Sequence, residues 1–318
     1  MTIQILILVA SLAFIILGAD WLVDGASSIA RKAGISEFVI GLTIVGFGTS
    51  CPELVVSLTG AFAGNSDISI GNVVGSNIFN TLLILGVTAL LRPVPITIEN
   101  KRRDIPMTIG VTVLLILLGM SRTLFGVGAV DGLSRIEGLV FLLLFAAYIY
   151  SCFKNNVAET DEDGTKIFGT AASIGLVIAG LTGLIVGGKF FVNSATEIAH
   201  LLGVSDKFIA ITILAGGTSL PELATCVVAA AKKKGQLALG NILGSNVFNI
   251  LLILGCSAVV TPLNFAGMNM IDMGVMLLSA LLVFTSAYTG KKDLLDRFDG
   301  SILLLCEAGY MAWLIINL

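Results

Sequence analysis

Read from its first residue, the chain alternates long apolar runs with short polar gaps. Ten runs can be marked, at about 3–26, 38–62, 69–91, 105–120, 136–153, 167–191, 208–231, 237–260, 269–289 and 300–318. Most approach or exceed the roughly 20 residues that an α-helix needs to cross about 30 Å of hydrocarbon. The pattern predicts an all-α polytopic membrane protein with ten transmembrane helices. Composition agrees: of 318 residues, 56% are hydrophobic and only 12% charged, and mean hydropathy is +1.00. A soluble domain carries about twice that charge. The first run has no basic segment before it and no small-residue cleavage site after it, so it reads as a retained helix rather than a signal peptide. The polar stretch Lys154–Lys166 (KNNVAETDEDGTK) is acidic and lacks any calcium-loop pattern. It reads as a linker between residues 1–153 and 167–318.

The two flanking units repeat each other. A shift of 169 residues aligns Thr43–Pro93 with Thr212–Pro262 without a gap. It lays GTSCPEL (48–54) on GTSLPEL (217–223) and GNVVGSNIFNTLLILG (71–86) on GNILGSNVFNILLILG (240–255). Five spans per unit is an odd number, so the second unit enters the membrane inverted, a plan common among secondary transporters. Lys and Arg set the orientation. With both termini outside, 14 of the 18 basic residues fall in inside loops and only Arg122, Arg135 and Lys207 outside, with Lys189 left in a span.

Other features narrow the chemistry. A net charge of −3 gives no basic footprint for nucleic acid. Five cysteines without paired spacing read as free thiols used as small hydrophobes. A single histidine, no H-E-x-x-H motif and no nucleophile–base set argue against an enzyme and against a resident metal or other cofactor. No obligate protein partner is evident beyond the lipid bilayer.

In both units, one span is interrupted where a membrane helix is normally most uniform. Pro52 and Pro221 remove an N–H, which is expected to free carbonyls near Gly46–Thr49 and Ala215–Thr218. Such a break survives in hydrocarbon only if it faces protein, water or an ion. Next to each proline stands a carboxylate, Glu53 or Glu222, at bilayer depth. The following span adds Ser76, Asn77 and Asn80 in one unit and Ser245, Asn246 and Asn249 in the other. Ser76 shares a helical face with Asn80, and Ser245 with Asn249. Gly71, Gly75, Gly240 and Gly244 allow close approach to the neighbouring broken helix. Helix packing alone explains an isolated Asn or Pro, but not a duplicated motif with a carboxylate in each copy. Carbonyls, hydroxyls and carboxylates form an all-oxygen set, which hard cations select.

These paired GTSxPE and GNxxGSNxFN motifs resemble the two alpha repeats of the sodium/calcium exchanger branch of the cation/calcium exchanger superfamily, most closely its short prokaryotic members. The resemblance spans essentially the whole chain. It implies a secondary antiporter that exchanges Ca²⁺ for Na⁺ across the cell membrane by alternating access. It implies that Glu53 and Glu222 bridge the ions. Thr49, Ser50, Thr218, Ser219, the carbonyls of Gly46 and Ala215, and Ser76, Asn80, Ser245 and Asn249 then complete the cation positions. Well-studied exchangers of the family carry an aspartate where this chain has Asn249. Only two negative charges then remain, matched by one Ca²⁺, two Na⁺ or two protons. A proton-coupled antiporter of Ca²⁺ or another divalent cation is therefore the alternative, and a channel is disfavoured by the internal inverted pair. Asp20 and Asp24 in span one align with Lys189 and Asn193 in span six, where Lys189 is expected to meet an acid. Glu307 is expected to be a packing contact, His200 an interface residue, and Lys232–Lys234 an inside anchor.

Overall fold

The computed structural model describes residues 2–128, 130–154, 167–203, 215–265, 268–289 and 293–317. Its helices are α1 (Thr2–Ala33), α2 (Glu37–Thr49), α3 (Cys51–Phe62), α4 (Ser66–Leu91), α5 (Ile105–Gly119), α6 (Arg135–Lys154), α7 (Thr170–Leu201), α8 (Leu220–Ala231), α9 (Gly235–Val260), α10 (Met270–Thr289) and α11 (Arg297–Ile316). A single turn, Ala215–Gly217, precedes α8. Among the described residues seven helices are long and apolar enough to cross a membrane, and α2 with α3 forms an eighth span bent by 48°. The helix α5 and the described part of the span through α8 are shorter. Residues 208–214 of the expected seventh span, and all of the linker except Lys154, lie outside the described residues.

At the centre stand α4 and α9, the most buried of the long helices, whose apolar and small residues are interrupted by buried asparagines. A helix of that composition has to be surrounded by protein or lipid. In α9 every residue from Gly235 to Val247 is buried. Glycine makes this possible: a Cβ at Gly244 would lie 2.7 Å from the Leu42 carbonyl oxygen, and one at Gly240 would collide with the Phe38 carbonyl. The α2 and α9 backbones therefore touch, as the glycines predict. Among the described residues Gly71 meets only the Met268 side chain, at ordinary contact distance, and Gly75 meets nothing.

Around this centre, α6 packs through a Phe145–Phe248 edge contact with ring centroids 4.8 Å apart. The start of α11 lies on α4, with Gly300 against the Gly86 carbonyl. Outside them run α1 and α7, 32 residues each and paired along their length. At 1.5 Å per residue each is about 48 Å long, well beyond the hydrocarbon thickness. Their outer faces carry exposed Leu6, Phe14, Ile178 and Phe190, as lipid contact requires. Two short antiparallel pairs tie loops from different halves together. β1 (Val94–Pro95) pairs with β4 (Leu294–Leu295), and β2 (Gly132–Leu133) with β3 (Leu263–Asn264).

The charges inside the spans are arranged differently from expectation. Lys189 is exposed on α7, and among the described residues no ion pair reaches it. Asp20 and Asp24 instead meet Lys232, at 2.7 and 2.6 Å, which ties α1 to the end of α8. Lys234 forms a buried pair with Glu37 at 2.6 Å. Two lysines of the basic run are thus built into helix contacts: both aspartates lie within reach of the α8–α9 turn, whereas Lys189 is exposed on α7. All five cysteines are free thiols. Glu307 is buried, and His200 is exposed at the end of α7.

Because the α2–α9 contact is backbone on backbone, Gly244→Val is expected to lower the thermal midpoint of the purified protein by about 5 °C or more. Val at Gly75 is expected to cost much less, and scanning fluorimetry in detergent compares the two.

Candidate cation site

The bend between α2 and α3 falls at Ser50, whose φ and ψ are −82° and 6°. The same conformation recurs at Ser219, at −88° and 5°. Each serine sits in the bridge region that ends one helix and allows another to start at a proline. The carbonyl of Gly46 is not left free by the break, because it accepts the Ser50 N–H at 3.1 Å and the Thr49 hydroxyl at 3.4 Å. Pro52 withholds a donor from Gly48, four residues before it, and not from Gly46. The Gly46 carbonyl therefore keeps a helical N–H partner, and the single Thr49 hydroxyl proton is shared between it and Asn241 Oδ1. Ala215 begins the equivalent turn before Ser219.

These bends aim the two acids at each other's half. Ser50 Oγ lies 3.0 Å from Glu222 Oε1, and Ser219 donates to Glu53 Oε1 at 3.3 Å. Ser245 Oγ is also 3.0 Å from Ser50 Oγ. Both glutamates are only 1% exposed. Each keeps its second oxygen, Oε2, buried and without a hydrogen-bond partner in the protein. The same holds for Ser76 Oγ, Asn80 Oδ1, Thr218 Oγ1 and Asn249 Oδ1. Buried polar atoms are nearly always paired, so six unpaired oxygens in one residue set point to a ligand. No three His, Cys, Asp or Glu side chains converge as metal ligands among the described residues. A cation here would therefore be held by two carboxylates and neutral oxygens, the hard donor set of Ca²⁺ and Na⁺.

Ser50, Ser219 and Ser245 are thus brought together with the two glutamates in the interior, and two details of the remaining residues differ between the copies or from a regular helix. Thr49 is engaged, its hydroxyl 3.2 Å from Asn241 Oδ1, whereas the equivalent Thr218 is not. Asn80 and Asn249 lie in π-helical turns, Asn80–Ile84 and Phe248–Leu254. Such wide turns concentrate at functional sites.

Sequence reading left Asn72 and Asn241 out altogether. Asn72 Nδ2 holds the Glu53 backbone carbonyl at 3.2 Å and the Ser57 hydroxyl at 3.0 Å. Asn241 Nδ2 reaches Cys226 Sγ at 3.3 Å. Both are the Asn of the duplicated Gly-Asn dipeptide (71–72 and 240–241), and that duplication was the available signal. Asn77 and Asn246 also stand behind the site rather than among its unpaired oxygens.

Comparison of sequence and fold with known proteins points to a class, membrane cation exchangers. The family model described as sodium/calcium exchanger protein matches residues 3–154 and 172–316. The sodium/calcium exchanger MaX1 of Methanosarcina acetivorans is 34% identical, over 99% of this chain and 98% of its own. The inner membrane protein YrbG of Escherichia coli K12 is 36% identical over 80% of this chain and 79% of its own. Among solved structures, the sodium-calcium exchanger NCX_Mj soaked with Na⁺ and Ca²⁺ superposes with a TM-score of 0.84, at 32% identity and 98% coverage of both chains. The chain belongs to the sodium/calcium exchanger family.

The unequal threonines give a test that needs no transport. Thr49→Val removes the hydrogen bond to Asn241 and is expected to lower the ion-free thermal midpoint by about 2–4 °C. Thr218→Val removes no bond and is expected to leave that midpoint within about 1 °C.

Proposed function

We propose that the chain is a multi-pass antiporter of the cell membrane that exchanges Ca²⁺ for Na⁺ at a single central site. It has ten transmembrane helices in two inverted five-helix repeats, residues 1–153 and 167–318, with 154–166 as a cytosolic linker and both termini outside. The observation that supports this reading is the crossed pairing of Ser50 with Glu222 and of Ser219 with Glu53, each leaving a buried carboxylate oxygen without a protein partner.

Calcium sheds its water there onto Glu53 and Glu222. Thr218, Ser76, Asn80 and Asn249 supply the oxygens now unpaired. Thr49, Ser50, Ser219 and Ser245, with the carbonyls of Gly46 and Ala215, contribute after small rotations. Sodium ions take the same carboxylates, so the two substrates exclude one another, and that exclusion turns transport into exchange. Calcium cancels the two negative charges outright. An unbalanced pair in low dielectric is heavily penalised, which suppresses crossing of the empty pocket.

In this orientation the α2–α9 backbone contact and the Lys232 pairs with Asp20 and Asp24 close the cytosolic half. Membership of the sodium/calcium exchanger family favours sodium over the proton-coupled alternative.

The test is ⁴⁵Ca²⁺ uptake into liposomes, driven by an outward Na⁺ gradient or an outward H⁺ gradient at fixed voltage. Uptake is expected to require Na⁺, and uptake that follows only H⁺ refutes the coupling. Glu53→Gln and Glu222→Gln, each folded by size-exclusion profile, are expected to lower uptake at least about 100-fold, since each removes a charge from a buried ion contact worth several kcal/mol. Transport surviving in both variants places the pocket elsewhere.

A further inference from the structure

We infer that Asn77, Asn246 and Thr81 are positioning residues that hold the Asn80 and Asn249 side chains with their oxygens, not their NH₂ groups, turned into the pocket. The inference deepens the proposed function and rests on its reading of Asn80 and Asn249 as ligands.

An amide has a donor end and an acceptor end of nearly equal size, so only its hydrogen bonds decide which end faces a ligand. Here each decision traces back to a group that can act in one way only. The Thr81 hydroxyl gives its single proton to the Asn77 backbone carbonyl at 2.9 Å. Its oxygen can then only accept, and it takes a proton from Asn246 Nδ2 at 2.8 Å. That leaves Asn246 Oδ1 on the other side, where it accepts from Asn80 Nδ2 at 3.3 Å. Asn80 Oδ1 is what remains, buried and unpaired.

The second path is shorter. Asn77 Nδ2 donates to the Asn246 backbone carbonyl at 3.2 Å, and a carbonyl cannot donate. Asn77 Oδ1 is therefore fixed as the acceptor for Asn249 Nδ2, at 2.9 Å. Asn249 Oδ1 is left unpaired in turn. All five side chains are no more than 3% exposed.

The paths cross between halves: Asn77 of the first copy sets Asn249 of the second, and Asn246 of the second sets Asn80 of the first. They are not symmetric, because the second copy has Ile250 where the first has Thr81. A reversed amide would aim an N–H at the cation and repel it. Orientation of the two amides therefore bears on affinity more than on folding.

The test uses Thr81→Val, which deletes the hydroxyl at constant shape, in proteoliposome uptake and in Ca²⁺-dependent thermal shift. The apparent KM for Ca²⁺ is expected to rise about three- to tenfold, about what one lost hydrogen bond gives, with a smaller change in Vmax. In an Asn80→Ala background, which has no amide to orient, the same substitution is expected to change KM less than about twofold. Asn77→Leu is expected to behave alike through Asn249, its effect disappearing in an Asn249→Ala background. This second arm decides the matter if Thr81→Val does not fold. An unchanged KM, or an equal loss in both backgrounds, overturns the positioning role and leaves the ligand reading intact. If Asn80→Ala and Asn249→Ala themselves leave KM unchanged, the ligand reading fails and this inference with it.

Discussion

Two carboxylates buried inside an apolar helix bundle, each reached by a serine of the opposite half, constrain everything around them. Each alone is costly to keep charged in hydrocarbon, and two together repel unless a cation or a proton lies between them. The chain meets this constraint by reciprocity. Each glutamate is steadied by the serine at the opposite break, so neither half completes a site alone. The remaining carboxylate oxygens are left without protein partners, as an ion requires.

Much of the fold follows from delivering those two acids to one point. The breaks at Ser50 and Ser219 place a glutamate one short turn beyond each kink, on the side facing the other half. Packing α4 and α9 at the centre brings in hydroxyl and amide groups, and the glycines of α9 let the α2 backbone come into direct contact. Outside this core α1 pairs with α7, and the Lys232 ion pairs tie α1 to the end of α8. That division between a polar, interlocked centre and an apolar outer pair suits a protein that must reorganise around a bound ion.

A large part of this was legible in the chain itself. Hydrophobic runs located most helix ends to within a few residues, although α1 extends seven residues and α7 ten residues past the expected end, where polar residues continue the helix. The duplicated motif gave the carboxylates, the serines and the paired asparagines, since repetition at a fixed offset separates function from packing. Three things were hidden. The π-helical turns at Asn80 and Asn249 leave no composition signal, because they arise from how neighbouring helices press on the backbone. Lys189 was expected to meet an acid, yet the acids of the first span, Asp20 and Asp24, pair with Lys232, which the bundle brings beside them. Hydrogen bonds between halves, such as those of Asn77 and Asn246, depend on the docking of two segments and can be read only from that docking.

Mutual exclusion at one pocket is the heart of the account, and equilibrium binding tests it without transport. Purified protein would be held at a fixed ⁴⁵Ca²⁺ concentration near half-saturation while Na⁺ replaces a large inert cation at constant ionic strength. Bound calcium is predicted to fall to zero, with the Na⁺ needed for half-displacement rising as calcium is raised. A plateau of retained calcium at saturating Na⁺ would mean that the two ions occupy separate sites, and would contradict exchange through Glu53 and Glu222.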